Sequence, residues 1–140
     1  MLKVSLKDIM SEDLIKLKEN ATVGQAAHIL LRFRINGLLV VKANDGNSLT
    51  GIITTTDLLR FLDKAMSKHG HRKEALDSIA TLPLAKVVRR NVTKIQADAK
   101  IEKVIALMHR QNVHTLPVYG GKKLIGVIGR HDILNIVFSG

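Results

Sequence analysis

The sequence predicts a mixed α/β fold in which one β-α-β-β-α unit occurs twice. Two observations carry that expectation. Laying Leu6 on Leu84 brings Ile9 onto Val87, Leu17 onto Ile95, and Val23, Ala26, Ala27 and Leu30 onto Ile101, Val104, Ile105 and Met108. The match continues with Ile35 on Val113, Leu38 on Leu116 and Val40 on Val118. Beyond a loop that is longer in the first copy, the phrase Gly51-Ile52-Ile53-Thr54-Thr55-Thr56-Asp57 returns as Gly126-Val127-Ile128-Gly129-Arg130-His131-Asp132. A self-match through nearly the whole chain is the mark of a duplicated supersecondary unit. Its copies fall at residues 4–62 and 84–138, joined by a linker at 63–83.

Each copy opens with a short amphipathic piece, Leu6–Met10 or Leu84–Val88. A brief extended segment follows, Leu14–Leu17 or Val92–Ile95. The first long helix is predicted from apolar residues at i, i+3, i+4 and i+7: Val23, Ala26, Ala27 and Leu30, then Ile101, Val104, Ile105 and Met108. These stripes are expected to be core. Thr22 and Gln25 have capping-box spacing, and Asp98 is the expected N-cap of the second helix. Two β-rich runs then surround a glycine-containing turn in each copy. They are Gly37–Val41 and Leu49–Thr54 around Asn44-Asp45-Gly46, and Thr115–Tyr119 and Leu124–Ile128 around Gly120-Gly121. Pro117 lacks a backbone donor, so its strand should lie at a sheet edge or the proline at a non-pairing position. The last helix of each copy starts near Thr55 or Arg130. It carries Leu58, Leu59 and Leu62, or Ile133, Leu134 and Val137. In the linker, Ser67–Lys73 reads as an exposed mobile loop, with a short helix over Glu74–Ala80.

Composition narrows the function classes. At 140 residues with 46% apolar and 24% charged side chains, the chain has the make-up of a soluble globular protein. With no cysteine, disulfides, thiolate catalysis and Cys-ligated zinc are excluded. No apolar run approaches the ~20 residues that span a bilayer, and the acidic N-terminus does not read as a signal peptide. A cytoplasmic protein without a membrane partner is expected. The formal net charge of +10 is concentrated in residues 84–140, which hold ten Lys/Arg against three Asp/Glu. An anionic partner fits that asymmetry, although most of these lysines need be no more than a solvated surface.

The repeated Gly-x-x-Thr-x-x-Asp phrase is the best candidate for chemistry. A strand ending at a helix N-terminus presents free N–H groups and a dipole that favour anions. Thr54, Thr55 and Thr56 bring hydroxyls, and a carboxylate such as Asp57 suits the paired hydroxyls of a ribose. The plainer alternative makes Asp57 and Asp132 helix N-caps. His69 and His71 flank a linker glycine without a third ligand, so no metal site is expected. His28 and His109 lie off their helices' apolar stripes. No nucleophile–base pair, paired catalytic carboxylates or phosphate-binding P-loop can be assembled, so no enzyme is expected.

Taken together, the doubled β-α-β-β-α order, Leu6-Lys7-Asp8-Ile9-Met10, Val113-His114-Thr115-Leu116-Pro117-Val118 and the doubled glycine-to-aspartate phrase resemble a tandem pair of CBS domains. The resemblance covers residues from about 4 to 138. It implies a pseudo-twofold module whose sheets pack together, leaving clefts for adenosyl ligands: AMP, ADP, ATP or S-adenosylmethionine, and NADH in some members. It also implies a homodimer that signals to a regulated partner protein, because no catalytic or transport domain accompanies the repeats. Carried onto this chain, one site uses Asp57 for the ribose and Thr54 for phosphate. The other copy then supplies Val92 and Thr93 along the adenine, with His114, Arg130 and His131 near phosphate. The second site keeps Asp132, with Leu14 and Ile15 for adenine and Thr56 as a hydroxyl. It has Gly129 in place of Thr54, Asn36 in place of His114 and Gly37 in place of Thr115. With fewer phosphate donors, it is expected to bind more weakly or to take a less charged ligand.

Two other functions compete. The basic second copy suits nucleic acid, but Phe33, Phe61, Phe138 and Tyr119 are too few aromatics for base stacking, and no groove-reading motif is present. A purely structural dimerisation module with degenerate clefts is the third reading.

Overall fold

The computed structural model describes residues 4–11 and 15–139. In order, they form α1 (Leu6–Ile9), β1 (Lys16–Lys18), α2 (Val23–Arg32), β2 (Gly37–Lys42), β3 (Asp45–Thr54), α3 (Thr55–His69) and α4 (Arg72–Ala80). A 3-10 turn at Leu84–Lys86 follows, then β4 (Ile95–Gln96), α5 (Ile101–Arg110), β5 (Thr115–Gly120), β6 (Lys123–Gly129) and α6 (Arg130–Ser139). The strands make two three-stranded sheets, β1-β2-β3 and β4-β5-β6. In each, the first strand pairs parallel with the second and the second antiparallel with the third. The doubled α/β unit expected from the self-match is therefore what the chain builds.

The compact units do not follow the sequence repeats. One comprises Met1–Leu14 with Val92–Gly140, and the other Ile15–Asn91. Each opening amphipathic piece thus packs into the unit built from the other repeat. Leu6 and Met10 join Ile95, Ile101, Val104, Met108, Leu116, Val118, Ile128 and Ile133 in one core. Leu84 and Val88 join Val23, Ala26, Leu30, Leu38, Val40 and Ile53 in the other. The residue after each piece then adds a rung to the third strand. Ser11 exchanges two backbone hydrogen bonds with Val127 (2.9 and 3.1 Å), and Arg89 two with Ile52 (3.1 and 3.3 Å).

This crossing explains the first residue of the repeated phrase. A Cβ on Gly51 would collide with the Arg89 carbonyl oxygen and lie 2.9 Å from Val88; on Gly126 it would lie 2.6 Å from the Met10 sulfur and 3.0 Å from the Ser11 oxygen. Both glycines are spaces kept for the incoming segment.

Several elements depart from the sequence reading. β5 is a central strand, so Pro117 is not at an edge. It stands opposite Val127, whose N–H and C=O point outward to Ser11. Pro117 therefore owes that neighbour no hydrogen bond and takes the non-pairing position. The longer loop of the first copy is absorbed by lengthening β3 back to Asp45, with register shifts opposite Val40, Val41 and Lys42. Ser67–Lys73 is not an extended loop. α3 runs to His69, Gly70 closes it at φ 77° in the left-handed region, and α4 begins at Arg72. The N-cap of α5 is Lys100 rather than Asp98, with no side-chain cap.

The apolar stripes are narrower than expected. Val104 and Met108 are buried, yet Ile105 is 40% exposed, and Leu59, Leu134 and Val137 are exposed as well. A helix lying on a sheet buries one seam, and the neighbour one residue on turns away from it. Among the described residues, no helix is long and apolar enough to cross a membrane.

Candidate functional site

In the unit of residues 15–91, the repeated phrase ends a strand and starts a helix in one step. Thr54 is the last residue of β3, paired with Gly37 at the start of β2. It is also the N-cap of α3, in an extended conformation (φ −123°, ψ 166°). The next residue, Thr55, donates its N–H to the Asn36 carbonyl at 3.0 Å, tying the two strand ends together. Asp57 completes a capping box. Its N–H donates to Thr54 Oγ1 (3.2 Å), and its Oδ2 accepts the Thr54 N–H (2.8 Å) and hydroxyl (3.0 Å). The N-cap is thus Thr54, with Asp57 its partner three residues on, rather than Asp57 itself. The single proton of the Thr54 hydroxyl goes to the carboxylate.

The other carboxylate oxygen faces two arginines. Oδ1 lies 2.8 Å from Arg60 Nη2 and 3.4 Å from Arg89 Nη2. Asp57 itself is 1% exposed. A buried carboxylate needs such partners, since an unpaired one costs several kcal/mol. The Arg60 guanidinium also lies 5.5 Å from the Phe61 ring centroid. Sequence reasoning missed both arginines. Arg60 had a readable signal, an opposite charge three residues along a helix. Arg89 had none, because only the crossing of its segment onto β3 brings it near. Thr56 is exposed in the first turn of α3, Asn36 is exposed at the strand end, and Ile15 is half-buried against the core. Leu14 lies outside the described residues.

The unit holding residues 92–139 repeats this geometry with fewer groups. Thr115 pairs with Gly129, and Arg130 donates its N–H to the His114 carbonyl at 2.9 Å. The Asp132 Oδ2 accepts the Gly129 N–H at 2.7 Å. Gly129 offers no hydroxyl, and the positions matching Arg60 and Arg89 are Asn135 and Ser11. His114, Arg130 and His131 are exposed around this strand end. Val92 and Thr93 are half-buried. The Thr93 hydroxyl donates to Gln111 Oε1 at 2.5 Å. Within each unit, then, residues assigned to the two sites stand at one strand-to-helix junction: Asn36, Gly37, Thr54, Thr56 and Asp57 in one, His114, Gly129, Arg130, His131 and Asp132 in the other.

A second polar group sits away from these junctions. The Thr50 hydroxyl donates to Glu19 Oε2 at 2.8 Å, and Lys42 Nζ lies 3.6 Å from the same oxygen. The Thr50 hydrogen bond first, and Lys42 after it, hold the Glu19 carboxyl below its ordinary range against the opposing effect of burial. Among the described residues, no three His, Cys, Asp or Glu side chains gather to hold a metal ion.

Solved structures with this fold are numerous. A CBS-domain-containing protein of Agrobacterium tumefaciens superposes with a TM-score of 0.78 at 20% identity, over 96% of this chain and all of that one. The CBS domain pair of protein MJ0100, solved with 5′-methylthioadenosine and S-adenosylmethionine, gives 0.73 at 24%, over 96% and 99%. CBSX2, solved with AMP, gives 0.76 at 21%, over 96% of each chain. At these identities the likeness is one of fold. Among curated proteins, an A-adding tRNA nucleotidyltransferase of Geobacter sulfurreducens is 29% identical over 95% of this chain, which spans 13% of that protein's length. Homoserine O-acetyltransferase of Methanococcus vannielii is 29% identical over 94% of this chain, which spans 24% of it. The matched segment is thus a minor part of each enzyme. The family description of the CBS domain fits residues 6–64 and again 84–139. With two such matches covering most of its length, the chain belongs to the CBS domain family.

Proposed function

We propose that this chain is a regulatory module that senses an adenosyl nucleotide: AMP, ADP, ATP or S-adenosylmethionine. In this reading Asp57 holds the ribose and a cleft shared by the two repeats encloses the ligand. The observation that carries it is the Asp57 carboxylate, set in a strand-to-helix junction beside two cations. A carboxylate so fixed can take a vicinal diol in exchange for one of its present partners, and neighbouring positive charge suits a phosphate on the same molecule. Support comes from fold neighbours that were solved holding AMP, S-adenosylmethionine and 5′-methylthioadenosine. Val92 and Thr93 would line the adenine, and His114, Arg130 and His131 the phosphate. A Thr54 contact to phosphate needs its hydroxyl turned away from Asp57. The second site, around Asp132 with Leu14, Ile15, Asn36, Gly37 and Thr56, would be the weaker for phosphorylated ligands.

The output is an affinity difference between two arrangements of the module, passed to a regulated protein or to an attached domain. No reaction is assigned to it. A cytoplasmic homodimer is the expected working form, with exposed apolar helix residues such as Leu31, Leu59 and Leu134 available to bury. Isothermal titration with AMP, ADP, ATP, S-adenosylmethionine and NADH tests the reading when paired with Asp57→Asn and a thermal-unfolding control. At least one ligand should bind, and the folded variant should lose it by tenfold or more. Equal binding by the variant would remove Asp57 from the site, and binding only to RNA or DNA would replace the reading altogether.

A further inference from the structure

The Asp57 carboxylate is buried among partners it already has. Of the roughly four lone-pair directions a carboxylate offers, three take the Thr54 N–H, the Thr54 hydroxyl and Arg60, and the Arg89 guanidinium stands 3.4 Å from Oδ1 as an ion-pair partner. Any diol that takes Asp57 must displace one of these donors. The two Thr54 bonds are part of the α3 cap, and losing them frays the helix. The two arginines are the replaceable partners, since their side chains are 46% and 57% exposed. Arg89 is anchored through its backbone by the rung to Ile52, so its guanidinium can swing away from Asp57 while its Cα stays. Arg60 has the Phe61 ring within reach when it leaves.

We infer that Arg60 and Arg89 act as a latch on Asp57, which makes the site selective for ligands that carry a phosphate. A sugar hydroxyl that binds Asp57 evicts an arginine from Oδ1. A neutral nucleoside leaves that cation without a partner, whereas a nucleotide brings its own anion as replacement. The carboxylate exchanges an arginine for a ribose, and the arginine exchanges a carboxylate for a phosphate. The second copy supplies the contrast: Ser11 and Asn135 replace both arginines, and among the described residues the Asp132 carboxylate accepts the Gly129 N–H with no arginine beside it. The Asp132 junction therefore accepts a neutral ligand without eviction.

This rests on the nucleotide-sensing reading above, and the test separates the two. AMP and adenosine are titrated into the wild type, Arg60→Gln, Arg89→Gln, Arg89→Lys and Asp57→Asn, each first checked for cooperative thermal unfolding. The wild type should prefer AMP by about tenfold or more, the scale of one charge-assisted hydrogen bond. In Arg60→Gln or Arg89→Gln, adenosine should tighten severalfold and the preference shrink to about threefold or less, while Arg89→Lys keeps it. A merely structural arginine would lower the unfolding temperature and weaken both ligands alike. If AMP binding is lost in Asp57→Asn but both glutamine variants keep the wild-type preference, the latch is overturned and the sensor stands. If neither ligand binds the wild type, the latch falls, and the sensor falls with it only when ADP, ATP, S-adenosylmethionine and NADH fail to bind as well.

Discussion

A half-buried carboxylate whose charge is shared with its neighbours responds to pH through them, and Glu19 illustrates it. With its carboxyl held below the ordinary value of 4.5, the folded state favours the ionised form more than the unfolded chain does. The stability this contributes is complete above the ordinary value and is lost as pH falls through the lower, folded value. Thr50→Val removes the leading cause of the shift. Its urea midpoint should therefore fall below wild type at pH 7, with the gap narrowing steadily below about pH 4.5. A gap that stayed constant through that range would mean Thr50 acts by packing alone. At this scale the sequence was half legible. The aspartate of the repeated phrase pointed to the junction, but Arg89 did not, since its partner lies far away in the chain. Arg60 was visible by spacing and was passed over because the phrase was read as ending at Asp57.

Secondary structure was legible wherever the period was long or the turn chemistry explicit. The stripe from Val23 to Leu30 became α2 and the Thr22–Gln25 pair became its capping box. Misreadings came from residues that serve helices as well as loops. Ser67-Lys68-His69-Gly70-His71 is polar enough to look like a linker, yet basic residues in a last turn followed by glycine are also a helix stop. Gly70 settles it by adopting φ 77°. A Cβ there meets nothing within 4 Å, so Gly70→Ala isolates the backbone term. It should cost about 1 kcal/mol, read as a lower urea midpoint with an unchanged denaturant slope. A neutral result would show that the α3–α4 turn finds another conformation. Asp98 failed as a cap because it lies two residues before the N-cap position, which Lys100 occupies.

The duplication was the most legible feature of the whole chain, and the exchange of opening segments the least. Self-comparison aligns Leu6 with Leu84 because both do the same job. It cannot tell which sheet each serves, since either choice buries a leucine of the same kind. Both are fully buried, Leu6 in the core with β4, β5 and β6 and Leu84 in the core with β1, β2 and β3. Cutting either to alanine should cost about 2–5 kcal/mol, and the damage should cross over. Leu6→Ala is expected to weaken hydrogen-exchange protection in residues 115–129 before residues 37–54, and Leu84→Ala the reverse. Protection lost within the mutated repeat itself would contradict the exchange.

That exchange also dictates an order of events during synthesis. Leu6 leaves the ribosome before any strand of its own sheet, which does not exist until β4, β5 and β6 have been made. The unit of residues 15–91 can close as soon as Leu84 and Arg89 emerge, while the first segment is still waiting for a partner. Since sequence-distant contacts are slow to form, the later unit sets the pace of folding. A nascent chain stalled before Ile95 would carry Leu6 and Met10 uncovered, a ready target for a chaperone.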